Sequence, residues 1–194
     1  MKLSKQFLAL RPCQEAKNWL SNYPGTMQGA WLSCSNPCWL FWFIGAAQGR
    51  KKLRSIRRFL RCFLECASFA LPAINKPALR GAFNQLCYAA CASPKSRSGA
   101  IDRIRKALDK PQYGEAFQAN ECFAQALLAV CDTVAPAYDV KFADPKFVMG
   151  NACFWLLSTF ITAHVFKFEA TARLCKVIRR HYPTLPRMPK LTRQ

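Results

Sequence analysis

Cysteine is the residue type in this chain with the most latent chemistry, at eleven of 194 residues. Cys34 and Cys38 form a C-x3-C pair inside the uncharged stretch GAWLSCSNPCWLFWFIG, residues 29–45. Zinc sites use thiolates at that spacing, but a tetrahedral ion needs two further ligands. The two histidines, His164 and His181, lie far along the chain, and Cys13, Cys62 and Cys66 serve only if the fold gathers them. C-x-x-C is absent, so a thioredoxin-like redox reading has no motif. Cys62/Cys66 and Cys87/Cys91 are i,i+4 pairs in apolar helical patterns, where a thiol behaves as a small hydrophobe. No metal and no cofactor is expected.

Covalent and acid–base catalysis have no better footing. A nucleophile needs a base within hydrogen-bond reach, and Cys175 and His181 are six residues apart, on different faces of a helix. His164 stands in an apolar run and reads as a core histidine. Glu115 and Glu121 are also six apart, and Asp139 and Asp144 fall in a loop pattern. The phosphate-cradling GxGxxG and GxxxxGK loops are missing. The expectation is a non-enzyme, with a small-molecule substrate not foreseen.

Charge is the stronger signal. Lys and Arg number 29 against ten acids, for a formal charge of +19. Such a surface attracts anions: nucleic acid, acidic protein or lipid headgroups. Three runs carry it, RKKLRSIRRFLR, PKSRSGAIDRIRKALDK and RLCKVIRRHYP. The candidate binding residues are Arg50, Arg54, Arg57, Arg58 and Arg61 in the first, Arg103, Arg105 and Lys106 in the second, and Arg179 and Arg180 in the third. Arginines on a helix can hold phosphates without reading sequence. No helix-turn-helix, zinc-finger or RNA-module signature accompanies them.

The elements that must position these residues read as all-α, a compact multi-helix domain of about seven to nine helices. Ala, Leu and Phe dominate and alternating β-branched runs are missing. Expected helices cover Pro12–Leu20, a Thr26-capped TMQGAWLSC, and PCWLFWFIGAA with Asn36 as cap and Pro37 at the first helical position. A strongly amphipathic helix follows over Lys51–Ala70, with Leu53, Ile56, Leu60, Phe63, Leu64 and Ala67 on one stripe, opposite the arginines, and Pro72 ending it. Pro77–Ala92 is next; ASPKSRSG reads as a polar hinge; Ala100–Leu108 and Tyr113–Val134 are helices; PAYDVKFADPK is a connector. Pro145–His181 is a long helical stretch that can break, and YPTLPRMPKLTRQ an extended or disordered tail. One domain over residues 1–182 is expected, with residues 1–72 and 77–182 as the alternative lobes and 183–194 as the tail.

FVMGNACFWLLSTFITAHVF, residues 147–166, is uncharged and about as long as a bilayer span. Its Asn151, Ser158, Thr159, Thr162 and His164 are costly in lipid. A buried central helix with those groups satisfied by neighbours is the expectation, and membrane association ranks third among the functional readings. The start MKLSKQFLALRPC has an apolar run too short for a secretory signal. Scattered cysteines without framework spacing suit free thiols in the cytoplasm.

The order CQEAKNWL, TMQGAWLSC, CWLFWFIG, FLRCFLECA and finally ATARLCKVIRRHYPTLP resembles a family of small helical phage and bacterial proteins, many labelled immunity proteins through association with polymorphic toxin systems. The likeness covers residues 13–72 and 170–186. Family members have an alanine-rich middle and a more acidic surface; here residues 73–148 are varied and the chain is basic. The resemblance implies a helical protein that binds and neutralises another macromolecule, with no catalytic residues. An acidic protein partner is therefore the leading expectation and nucleic acid the second.

Overall fold

The computed structural model describes residues 5–48, 53–108, 119–134, 145–163 and 167–187. Arg50, Glu115, Asp139, Asp144, His164 and the 135–144 connector lie outside the described residues. The fold is all-α. Among the described residues ten helices follow one another: α1 Lys5–Ala9, α2 Gln14–Asn22, α3 Met27–Ser33, α4 Pro37–Gln48, α5 Leu53–Ser68, α6 Pro77–Cys91, α7 Pro94–Leu108, α8 Ala119–Val134, α9 Pro145–Thr162 and α10 Lys167–His181.

Several boundaries follow from local chemistry. Thr26 Oγ1 accepts the Gly29 N–H at 3.1 Å and starts α3. Asn36 Oδ1 accepts from the N–H groups of Cys38 at 3.0 Å and Trp39 at 3.3 Å, and Pro37 takes the first position of α4. Both satisfy donors that a helix start leaves orphaned. Past α5 the chain turns through a 3₁₀ segment, Leu71–Ala73, around Pro72.

Two expectations change. Pro12 lies ahead of α2, whose cap is Cys13, and a further helix, α1, precedes it. Between them Arg11 adopts a φ of 55°, a left-handed conformation that follows a helix end and usually falls to glycine. ASPKSRSG is not a hinge. Ser93 Oγ accepts the Ser96 N–H at 3.3 Å, Pro94 opens the helix, and α7 runs unbroken to Leu108. The pair Ser93–Pro94 repeats the logic of Asn36–Pro37. Beyond α10 the described chain carries no helix, and its first residues are held by hydrogen bonds: Trp31 Nε1 donates to Tyr182 O at 3.0 Å and Leu185 N to Gln28 Oε1 at 2.8 Å. Residues 188–194 lie outside the described set.

A single hydrophobic cluster draws side chains from all ten helices, from Phe7 to Tyr182. The amphipathic α5 places Phe59, Leu60, Phe63, Leu64 and Ala67 inward and Arg57, Arg58 and Arg61 outward, as its periodicity requires. α4 and α9 are apolar on nearly every face because neighbours cover them: α9 packs on α4, α8 and α10. Within α9, Thr159 is fully buried and donates its hydroxyl to Trp155 O at 3.0 Å, and Ser158 donates to Phe154 O at 3.0 Å. The helix's own carbonyls therefore satisfy these polar groups. Among the described residues no helix is long and apolar enough to cross a membrane.

The tryptophans divide their work. Trp31 is buried against Phe43, Trp39 packs on Trp19 of α2, and Trp42 meets Phe7 of α1. The α4–α5 contact belongs instead to Phe41, whose ring centroid lies 5.5 Å from that of Phe59 and 6.5 Å from that of Phe63. Trp19, Trp31, Trp39 and Trp42 surround an apolar cavity of about 50 Å³. That is about a third of the ~150 Å³ that admits benzene in an engineered apolar cavity.

Candidate macromolecule-binding face

The arginines gathered by the fold fall into two groups with different tasks. One group closes helix C-termini, where four carbonyls have no helical partner. Arg57, on α5, donates from Nε to Ala90 O at 3.1 Å and from Nη2 to Cys91 O at 3.2 Å. Arg97, on α7, donates to Ala89 O at 3.0 Å and Ala92 O at 2.8 Å. Two guanidiniums thus hold the end of α6, which lacks the usual glycine, and their charge suits the negative end of the helix dipole. Burial, and then the neighbouring Arg57, make Arg97 a weaker base than usual. Arg179 does the same for α3, donating to Trp31 O at 3.4 Å and to Cys34 O. Arg80 holds the 3₁₀ turn through Ile74 O at 2.6 Å and Leu71 O at 3.3 Å.

The second group lies on the seam of α5 and α10. Arg58 and Arg61 project from α5, and Arg180 from α10; all three are exposed. Glu65, four residues beyond Arg61 on α5, supplies a carboxylate on this seam. It pairs with Arg180 through Oε1 and accepts from His181 Nε2 at 2.8 Å through Oε2. Arg58 lies over the buried Tyr182 ring, its Cζ 4.7 Å from the centroid. A cation over that face gains about 0.5–1 kcal/mol. Burial lowers the His181 pKa, and Arg180, Arg58 and Arg61 lower it further. The imidazole is therefore neutral at neutral pH, donating its Nε2–H to Glu65. Three guanidiniums against one carboxylate leave this seam strongly positive.

Of the other sequence candidates, Arg103 and Lys106 are exposed on α7 and Arg105 is half-buried there, on a helix packed against α6 and α8. Arg54 belongs to α5, with its side chain outside the described set, as is all of Arg50. Arg57 and Arg179, chosen from the sequence as binding residues, each give two hydrogen bonds to backbone carbonyls. Glu65, Tyr182 and Arg97 were not foreseen. Glu65 was accessible to a helical wheel, since it follows Arg58 and Arg61 at seven- and four-residue steps. Arg97 was hidden by the reading of its segment as a hinge.

All eleven cysteines are free. Burial raises the thiols of Cys34, Cys66 and Cys153, and pushes Cys175 up to about 12. Among the described residues no group of three or more His, Cys, Asp or Glu side chains is placed to hold a metal ion. Comparison with protein-family models, with curated proteins and with solved structures finds no match.

Proposed function

We propose that the chain is a non-enzymatic binding protein that inhibits or modulates an acidic protein partner, in the manner of an immunity protein. The observation that carries this reading is the convergence of Arg58, Arg61 and Arg180 on His181, where Glu65 pairs with Arg180. Complementary charge steers encounter and fixes register between proteins. Exposed aromatics favour protein over phosphate backbone. Tyr88, 80% exposed, lies in the last turn of α6, the helix whose end Arg57 holds. Arginine and tyrosine together are the composition of interface hot spots. The diversion of Arg57 and Arg179 to helix ends also shortens the row of arginines left for phosphates.

Nucleic-acid binding is the second reading, favoured by the exposed Arg103 and Lys106 and by the overall charge of +19. Reversing Arg58, Arg61 and Arg180 to glutamate separates the two, because these side chains hold no helix end. The inhibitor reading expects a stoichiometric protein partner on the wild type, lost in the triple variant. It also expects no shift of random duplex DNA at moderate salt. DNA binding with a steep salt dependence, reduced by the same reversals, would establish the second reading instead.

A further inference from the structure

One side of α9 meets solvent without a charge. Between Lys146 and Lys167 the sequence has no Asp, Glu, Lys or Arg. Along that side Gly150, Phe154, Leu157 and Ile161 follow at steps of four, three and four residues, the spacing by which one helix pairs with another. Phe154 is 55% exposed and Ile161 46%, while Gly150 and Leu157 are half-buried. The core does not use this stripe, since Met149, Ala152, Leu156 and Phe160 are the residues α9 buries. Single apolar residues on a surface are ordinary; a continuous row of them marks an interaction site.

Two details suit the row to a dry contact. Ser158 donates its hydroxyl to Phe154 O at 3.0 Å and Thr162 donates to Ser158 O at 2.9 Å, so covering them orphans neither donor. The Phe154 ring stands edge-on to Trp155, with centroids 5.5 Å apart, which restricts it before anything binds.

Charge and symmetry select the occupant. The chain carries +19, and its exposed Arg58, Arg61, Arg103, Lys106 and Arg180 stand on α5, α7 and α10. An acidic protein or an anionic lipid surface is drawn to those helices. A second copy is repelled by them and meets no like charge on the α9 row. The row is also self-complementary. Phe154 lies at the middle of α9, Pro145–Thr162. With two copies antiparallel about a two-fold axis there, Phe154 meets Phe154 of the second copy. Gly150, four residues before it, then lies opposite Leu157, three residues after it. A Cβ at Gly150 would already touch Trp42 Cβ, at 3.6 Å, and the glycine keeps a notch there for the incoming leucine.

We propose that α9 is a homodimer interface, two chains pairing antiparallel through Gly150, Phe154, Leu157 and Ile161. It uses no residue of the α5–α10 seam. One helix pair falls at the small end of stable interfaces, below about 1,200 Å² in total, so dissociation at about 10–100 µM is expected.

Sedimentation velocity of the full chain, kept reduced and run at about 1–300 µM, brackets that range. The dimer fraction is expected to rise with concentration. Association is expected to strengthen about two- to tenfold from low to high salt, because salt screens the repulsion between +19 copies. Phe154→Arg and Phe154→Asp each set like charges against each other across the axis and are expected to weaken association at least about tenfold. Mixed in equal amounts, the two variants are expected to pair again, because residue 154 faces its own copy. A chain that stays monomeric in high salt would overturn the proposal. So would association that weakens with salt, survives both substitutions, or is not restored on mixing. Co-flotation of a monomeric chain with phosphatidylserine vesicles, lost in Phe154→Asp, would assign the row to a lipid surface instead. Circular dichroism checks the variants, and the wild-type concentration and salt series decides if one fails to fold.

Discussion

Glu65→Gln removes the carboxylate from the α5–α10 seam and keeps the shape of the side chain. Two interactions change. The Arg180 pair has side chains 65% and 33% exposed, so solvent screens it, and such pairs contribute about 0.2–1 kcal/mol. The His181 bond at 2.8 Å is better buried, its side chain 21% exposed; a net hydrogen bond of this kind contributes about 1 kcal/mol, part of which glutamine retains. Arg58, Arg61 and Arg180 then repel one another without a counter-charge. The sum is a loss of about 1–2 kcal/mol, or roughly 3–6 °C in Tm for a chain of this size. Thermal melts followed by circular dichroism at neutral pH measure it. The same substitution makes the seam more positive, so retention on heparin extends to higher salt and affinity for an acidic partner rises about three- to tenfold at low salt. A variant that melts with or above the wild type and elutes earlier from heparin would refute the assignment of Glu65 as counter-ion.

Acidification is expected to destabilise the protein through His181. Its folded pKa lies below the unfolded value, so unfolding takes up a proton; the stabilisation is full above about pH 6.5 and is lost as pH falls through the folded pKa. His181→Gln should flatten that part of a Tm-against-pH profile. Arg97→Ala is expected to cost about 1–3 kcal/mol in urea unfolding, because it strips the carbonyls of Ala89 and Ala92 at a buried helix end. Lys106→Ala, on the exposed face of α7, should stay within about 0.5 kcal/mol. Trp31→Phe keeps an aromatic side chain but loses the 3.0 Å bond to Tyr182 O and part of the buried indole volume; a loss of about 1–3 kcal/mol and faster tryptic cleavage after Arg187 are expected.

Much of the helical layout is written in local residues. Thr26, Asn36–Pro37 and Pro72 mark helix ends through hydrogen bonds and proline geometry that span a few residues, and the three- and four-residue steps of α5 settle which side is buried. The same local logic was present at Ser93–Pro94, but Lys95, Ser96, Ser98 and Gly99 outweighed it in propensity, and packing of α7 on α6 and α8 decides the matter. The tryptophan-rich stretch is legible as core. Its partners are not, because Trp19, Phe7 and Gly150 come from three other helices.

Composition, charge and periodicity thus determine a helical chain with arginines on solvent-facing stripes, including the Arg58, Arg61, Glu65 row on one face of α5. Only the tertiary structure separates arginines that close helices from arginines that remain on the surface. Arg179 finds its carbonyls 145 and 148 residues away, and Arg57 finds its own 33 and 34 away. A backbone cap is a short-range event encoded beside the helix it ends. A side chain's remote partner depends on how whole helices dock, and that is fixed by burying their apolar faces together.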